Sequence, residues 1–233
     1  MKKILSFTFA AALLLALVSL PATTANAQAG LVSSILSRLD KSQRSLKTLR
    51  ANIDMWKYNA QLRDEDHYQG IVLYIPGMGG SRNSFVRLEW TSPQHETLAV
   101  AKGNYMFYRP RLKTVIVGNT RSVAGGKNND VLELMSMSAT QFRTRFGEFQ
   151  DVRDETLSGG VWTQHFRVTP KGAASYQYIE VWVDKEGLPV QTKMVEKNND
   201  ATTVRLTNVQ KNQTIPLGEF ELKLDSSVKR VKG

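Results

Sequence analysis

Few side chains in this sequence could do covalent chemistry. Its 233 residues include no cysteine, which removes thiol nucleophiles, Cys-metal sites and disulfides together. The histidines His67, His95 and His165 are far apart and share no ligand spacing with one another. Asp64-Glu65-Asp66-His67 could attract a cation, but such charge runs commonly cap a turn between strands. Gly77-Met78-Gly79-Gly80-Ser81 could suggest an oxyanion hole or a phosphate cradle. It lacks both the Gly-x-Ser-x-Gly of a nucleophile elbow and the Lys of a P-loop, and no helical pattern follows it, so it reads as a hairpin turn. Ser226 and Lys229 satisfy Ser-x-x-Lys, yet they sit in a basic tail. No catalytic constellation survives, and the residues call for no enzyme, cofactor or metal.

What remains is the chemistry of apolar contact. In Val86-Arg87-Leu88-Glu89-Trp90, alternation puts Val86, Leu88 and Trp90 on one face and Arg87 and Glu89 on the other. Trp56, Tyr74, Met106 and Tyr108 are further aromatic or Met positions on predicted strands, and Leu134, Met135 and Met137 form an adaptable greasy cluster. Each of these side chains also fits the plainer role of a core anchor.

The elements that must position them are mostly strands. Val32, Ile35, Leu36, Leu39, Leu46 and Leu49 recur at helical spacing and predict an amphipathic helix over 31–50, feeding straight into a strand from Ala51. About a dozen short strands follow by the count of alternating segments and turn signals. They are 68–75, 84–91, 97–102, 105–109, 112–118, 148–155, 160–168, 175–183, 189–197, 202–210 and 219–224, punctuated by turns such as Gly103-Asn104 and Lys185-Glu186-Gly187. Residues 122–146 break the rhythm with Gly125-Gly126 and Asn128-Asn129-Asp130, then carry Phe142 and Phe146 four apart. They predict a loop and one or two short helices, with Asn129 or Asp130 as N-cap. The expected class is mainly β, an antiparallel meander that curls as it twists under a helical cover.

The N-terminus reads as a signal peptide: basic Met1-Lys2-Lys3, an apolar run from Ile4 to Leu20, Pro21, then small residues. Ala25-Asn26-Ala27 and Ala27-Gln28-Ala29 both offer peptidase sites, so cleavage is expected after Ala27 or Ala29. The domains expected are therefore 1–27 as signal and 28–233 as a single domain, with no Pro/Ser/Gly linker to divide it. Lys and Arg exceed Asp and Glu by 10, or by 8 once Lys2 and Lys3 are removed. In an exported protein this excess points away from nucleic acid and toward anionic membrane surfaces or an acidic protein partner.

Gly70-Ile71-Val72-Leu73-Tyr74-Ile75-Pro76, Val86 to Pro93 and Gly103-Asn104-Tyr105-Met106-Phe107-Tyr108-Arg109-Pro110 together resemble the LolA family of periplasmic outer-membrane lipoprotein carriers. Leu46-Lys47-Thr48-Leu49-Arg50-Ala51 is similar to that family's helix-to-strand junction. Val183 to Pro189, Leu206 to Val209 and Phe220-Glu221-Leu222 resemble its later strands.

The resemblance implies a half-open antiparallel β-barrel curled around an apolar concavity, with helices as a lid. It implies a carrier that shields lipoprotein acyl chains while ferrying them across the periplasm. Its partners would be acylated lipoproteins, an inner-membrane lipoprotein-releasing transporter, an outer-membrane acceptor and, transiently, a membrane surface; the carrier would be a monomer. Trp56, Tyr74, Val86, Leu88, Trp90, Met106 and Tyr108 are then candidates for the lining, and Leu134, Met135 and Met137 for the lid. Such carriers often hold the lid with an Arg just before the Pro of an early strand. Here that place is Ile75, leaving Arg82 or Arg87 as substitute latches. A LolA-like protein that binds another lipid or glycolipid, or that senses envelope stress, is the other reading within this fold.

Overall fold

The structure is a computed structural model that describes residues 23–77, 84–120 and 137–233, with helix side chains from Ala29 onward. Helix α1 (Thr23–Ser45) is followed by β1 (Leu49–Asn59), β2 (Asp64–Ile75), β3 (Phe85–Ser92), β4 (Glu96–Ala101), β5 (Asn104–Arg109) and β6 (Thr114–Asn119). A short α2 (Ala139–Arg145) then leads into β7 (Gln150–Leu157), β8 (Val161–Val168), β9 (Tyr176–Asp184), β10 (Pro189–Glu196), β11 (Ala201–Lys211) and β12 (Lys229–Lys232).

All twelve strands form one sheet in the order β12-β6-β5-β4-β3-β2-β1-β11-β10-β9-β8-β7. Neighbours are antiparallel except β12, which lies parallel to β6. The two outer strands, β12 and β7, do not pair with each other, so the barrel is open, as the mainly β reading with a helical cover expects.

Register divides the sheet into two faces, because residues directly opposite each other across antiparallel strands share a face. On one face Ile53 lies opposite Leu206, Met55 opposite Val204, and Val204 in turn opposite Thr192, which faces Val181 and then Phe166. Phe166 and Val181 pack with Ile35, Leu36 and Leu39 of α1 and with Phe142 of α2. This is the helix face. The opposite face carries Leu73, Ile75 and Phe85, against which Ile215 and Phe220 of the C-terminal segment pack. This is the tail face.

The helices stay on the sheet because their apolar stripes are buried there. Ile35, Leu36 and Leu39 are at most 4% exposed, and side chains of this size contribute roughly 1.5–3 kcal/mol each when buried. Phe142 meets Phe146 at 4.7 Å and Phe166 edge-on at 5.9 Å. Helix α2 is started by a capping box: the Ser138 hydroxyl accepts from the Gln141 amide, and the Gln141 side chain accepts from the Ser138 amide. Asn129 and Asp130, the expected caps, lie outside the described residues.

Several element boundaries differ from the sequence reading: the first helix begins at Thr23 and not at 31, and Asp64-Glu65-Asp66-His67, read as a turn, is the start of β2, paired with Trp56 to Asn59 of β1. The first helix ends at Ser45 and not at 50, because the Asn212 side chain accepts from the Lys47 amide at 2.7 Å and donates to the Ser45 carbonyl at 3.2 Å. Leu49, placed on the helical stripe, is the buried first residue of β1. Residues 219–224 are not a strand. Leu217–Phe220 is a 3-10 turn that seats Phe220 on the tail face, and the last strand comes later, at Lys229–Lys232.

Candidate functional site

Among the described residues, a continuous run of apolar side chains lines the helix face of β1–β6, and most of those on β1–β3 are buried. Ala51, Ile53 and Met55 of β1 stand opposite Val72, Gly70 and Tyr68 of β2. Tyr74, Val72 and Gly70 stand opposite Val86, Leu88 and Trp90 of β3. Val86 and Leu88 then face Val100 and Leu98 of β4, which face Tyr105 and Phe107 of β5. Glycine is required at position 70, since a Cβ there would run into the Glu89 carbonyl where the β2–β3 register shifts. That close approach lets Tyr68 meet Trp90 edge-on at 5.8 Å.

The polar end of this face begins at Tyr68. The Lys57 ammonium lies over the Tyr68 ring at 5.0 Å, and Arg109 pairs with Glu96 at 3.1 Å. Burial, reinforced by the charges of Asp66 and Glu96, raises the Tyr68 phenol above its ordinary range. The face therefore grades from aliphatic side chains through an aromatic pair to charge, the gradient that an amphiphile with an apolar tail requires.

Four of the expected lining residues share this face. Val86, Leu88 and Trp90 are buried at 6%, 8% and 9% exposure, and Tyr74 is half-buried beside them. Met137 is buried in the separate cluster formed by α1, α2 and β8–β10. Leu134 and Met135 lie outside the described residues.

Trp56, Met106 and Tyr108 correct the sequence reading, because they stand on the tail face. Trp56 is opposite His67 and stacks on its ring at 4.8 Å, while Asp54 pairs with the same imidazole at 3.1 Å. Met106 is opposite Ala99 and Tyr108 opposite Thr97. The cause is the composition of Tyr105-Met106-Phe107-Tyr108, which is apolar or aromatic on both faces and so gives alternation no polar partner to oppose. Tyr105 and Phe107 take the helix-face positions instead. They went unread for that reason, as did Tyr68 and Met55, which register with neighbouring strands alone reveals.

The fastening of the helical cover also went unread. From α1, the Arg38 guanidinium donates to the Gln164 side chain of β8 and reaches the Asp184 and Lys185 carbonyls at 3.5 and 3.4 Å. Below it, Gly187 adopts φ +88°, and a Cβ there would collide with the Arg38 carbonyl. Asp40 accepts from the Ala139 amide at 2.7 Å, tying α1 to the first turn of α2. Of the two substitute latches considered, Arg82 lies outside the described residues. Arg87 is on the tail face, where it donates to the Glu219 carbonyl at 2.8 Å and to Glu89 at 2.9 Å. With the ion pair from Arg50 to Glu219 at 2.7 Å, it holds the C-terminal segment and not the helices.

The histidines are held apart in unlike surroundings. His67 is in the tail-face stack, His95 lies beside Glu89 at 3.3 Å, and His165 is 1% exposed against Trp182. Among the described residues no group of three or more His, Cys, Asp or Glu side chains could hold a metal, and no helix is long and apolar enough to cross a membrane.

A family model described as "Outer membrane lipoprotein carrier protein LolA" matches residues 81–223, more than half of the chain. The chain belongs to the LolA family. Among solved structures, the LolA-family sheet aligns with MucB at a TM-score of 0.55 and 13% identity, covering 82% of this chain and 62% of MucB. It aligns with an uncharacterized conserved protein from Thermus thermophilus at 0.51 and 10% identity, covering 86% and 98% of the two chains. For the Mycobacterium tuberculosis lipoprotein LppX the values are 0.50 and 12%, with 81% and 98% covered. At these identities the likeness is one of fold. No curated protein sequence matches the chain. LolA-family membership makes a binding or carrier protein the general class.

Proposed function

We propose that this protein is a periplasmic carrier that shields the acyl chains of lipoproteins against the helix face and ferries them from the inner to the outer membrane. The observation that carries the proposal is the uninterrupted run of apolar side chains on one face of the sheet, from Ala51 through Val72 and Leu88 to Leu98 and Phe107, ending at Tyr68, Trp90 and charge. Each acyl methylene kept from water contributes about 0.8 kcal/mol, so an acylated protein leaves a membrane at a useful rate only with such a container. Release requires that the container not be tightly complementary, and a lining of mixed aliphatic and aromatic residues meets that demand.

Export fits the same reading. Removing residues 1–27 or 1–29 as a signal peptide would leave the α1 stripe of Leu31, Val32, Ile35, Leu36 and Leu39 whole. The 233 residues offer no cysteine for lipidation, in keeping with a monomeric shuttle between a lipoprotein-releasing transporter and an outer-membrane acceptor.

The test is gentle purification of the exported protein followed by mass spectrometry of its extracted lipids. Triacylated lipoprotein, or its acyl groups, is the expected find. Recovery of glycolipid alone would favour the other LolA-like reading. A preparation that is dry and takes up no fluorescent fatty acid would overturn both.

A further inference from the structure

The outer edge of the sheet, where β12 lies beside β6, gathers exposed cations. The 3-10 turn Pro110–Leu112 before β6 exposes Arg111 and Leu112, Lys113 follows, and β12 lies alongside with Lys229, Arg230, Val231 and Lys232 all exposed. The Lys229 amide donates to the Lys113 carbonyl at 2.8 Å, which brings the two runs of cations together. None of Arg111, Lys113, Lys229, Arg230 and Lys232 forms an ion pair among the described residues, whereas arginines elsewhere on the sheet, such as Arg50, Arg87, Arg109 and Arg167, are paired with carboxylates. Asp225, the acid nearest in sequence to β12, is turned to the Ser227 amide at 2.8 Å. Two apolar side chains stand among the cations, Leu112 at 62% and Val231 at 37% exposure.

We infer that this edge is a docking surface for an anionic phospholipid bilayer: the outer strand meets the headgroups edge-on, with Lys229 and Val231 on one side of it, Arg230 and Lys232 on the other, and Arg111, Leu112 and Lys113 beside its start. Charge complementarity selects the occupant. Cations without an ion pair among the described residues are attracted to an anionic leaflet, and exposed aliphatic side chains interleaved with them gain from the headgroup boundary but not from an acidic protein of purely polar surface. The edge lies at the far end of the sheet from β7–β10, where α1 and α2 are fastened, so docking would leave the helical cover free. This inference stands apart from the identity of the cargo, since it concerns an outer edge and not the helix face.

Vesicle flotation tests it, using protein exported and processed by cells that express the full chain. The protein should float with vesicles of phosphatidylcholine containing about 30% phosphatidylglycerol, and not with phosphatidylcholine alone. Binding should fade as salt rises from about 0.05 to about 0.5 M. The variant R111E/K113E/K229E/R230E should lose roughly tenfold or more of the vesicle-bound fraction. The control K41E/R44E/R143E/K197E, which reverses the same number of charges elsewhere, should stay within about twofold. If the edge variant alters the near-ultraviolet circular dichroism, the milder R111Q/K113Q, which leaves β12 intact, should still lower binding about threefold or more. Equal losses in edge and control variants would show attraction by scattered net charge alone and overturn the assignment. So would binding only to an acidic protein partner, or equal binding to neutral vesicles.

Discussion

Arg38 and Gln164 stand 126 residues apart in the chain, yet the guanidinium of one donates to the side-chain oxygen of the other, and this contact fixes α1 over β8. The same guanidinium reaches the Asp184 and Lys185 carbonyls, so one side chain grips both a strand and the β9–β10 turn. Arg38→Gln should therefore loosen the helix without emptying the core. The expected result is a loss of about 1–2 kcal/mol in stability, lower amide protection along α1 and faster uptake of a fluorescent fatty acid. Unchanged hydrogen exchange in α1 would show that the apolar stripe alone holds the helix.

Gly187 makes that grip possible. It combines a left-handed backbone with near contact to the Arg38 carbonyl, whereas Gly159, at a similar φ of +81°, has nothing within 4 Å of its would-be Cβ. Gly159→Ala should cost only the conformational penalty, about 1 kcal/mol, and Gly187→Ala at least about 2 kcal/mol more. Chemical denaturation of both variants makes the comparison. Equal losses would mean that α1 shifts to accommodate a methyl group.

These relationships mark where the sequence stops being legible. Helical spacing exposed Ile35, Leu36 and Leu39, and polar alternation sorted Val86, Leu88 and Trp90 from Arg87 and Glu89, because in each case charge or polarity opposed the apolar residues. In Tyr105-Met106-Phe107-Tyr108 nothing opposed them, and the facing had to come from Leu98 and Val100 across the ladder. Arg38 was unreadable for another reason. It occupies a helical position indistinguishable from the solvated Lys41 and Arg44, and its partners lie more than a hundred residues away, so long-range docking decides its role. Arg87 had the right chemistry for a latch but stood on the tail face, where Glu219 claims it.

His165 links the core to pH. It is 1% exposed beside Trp182. Burial lowers its pKa, Arg153 lowers it further, and Glu180, Glu155 and the Asp151 backbone oppose the shift only in part. The folded protein therefore keeps this imidazole neutral while the unfolded chain takes up a proton below about pH 6.5. Stability contributed by the neutral ring is complete above that pH and is lost as pH falls toward the depressed folded-state value. Melting temperatures of the native protein and His165→Phe should diverge between about pH 7 and pH 5, with the native protein losing more. Parallel decline would contradict the assignment.

Arg87 and Arg50 converge on Glu219, and with Phe220 packed on Phe85 at 5.7 Å they strap the C-terminal segment across the sheet. Arg87→Ala should raise proteolytic nicking after residue 211 and reduce protection of β12. Amide protection in α1 should not change, because no contact of Arg87 reaches it. If α1 loosens equally, the two faces are coupled through the sheet and the strap is not an independent element. The guanidinium is part-exposed, so the stability cost should stay near about 1 kcal/mol.

Leu98 and Met106 offer the sharpest test of which face carries the ligand. Both are half-buried, they sit on the adjacent strands β4 and β5, and register places them on opposite faces: Leu98 joins Leu88 and Phe107, while Met106 stands opposite Ala99. A polar amide of similar length should be tolerated by the fold at either position, at a cost of about 1–2 kcal/mol. On the helix face, however, it would also set an unsatisfied amide against every acyl chain that enters. Leu98→Gln should therefore weaken binding of a fluorescent fatty acid about tenfold, and Met106→Gln should leave it within about twofold. Because the two variants carry the same chemistry at the same depth, equal weakening would point to a general loss of packing and a reversed result would put the ligand under the C-terminal strap.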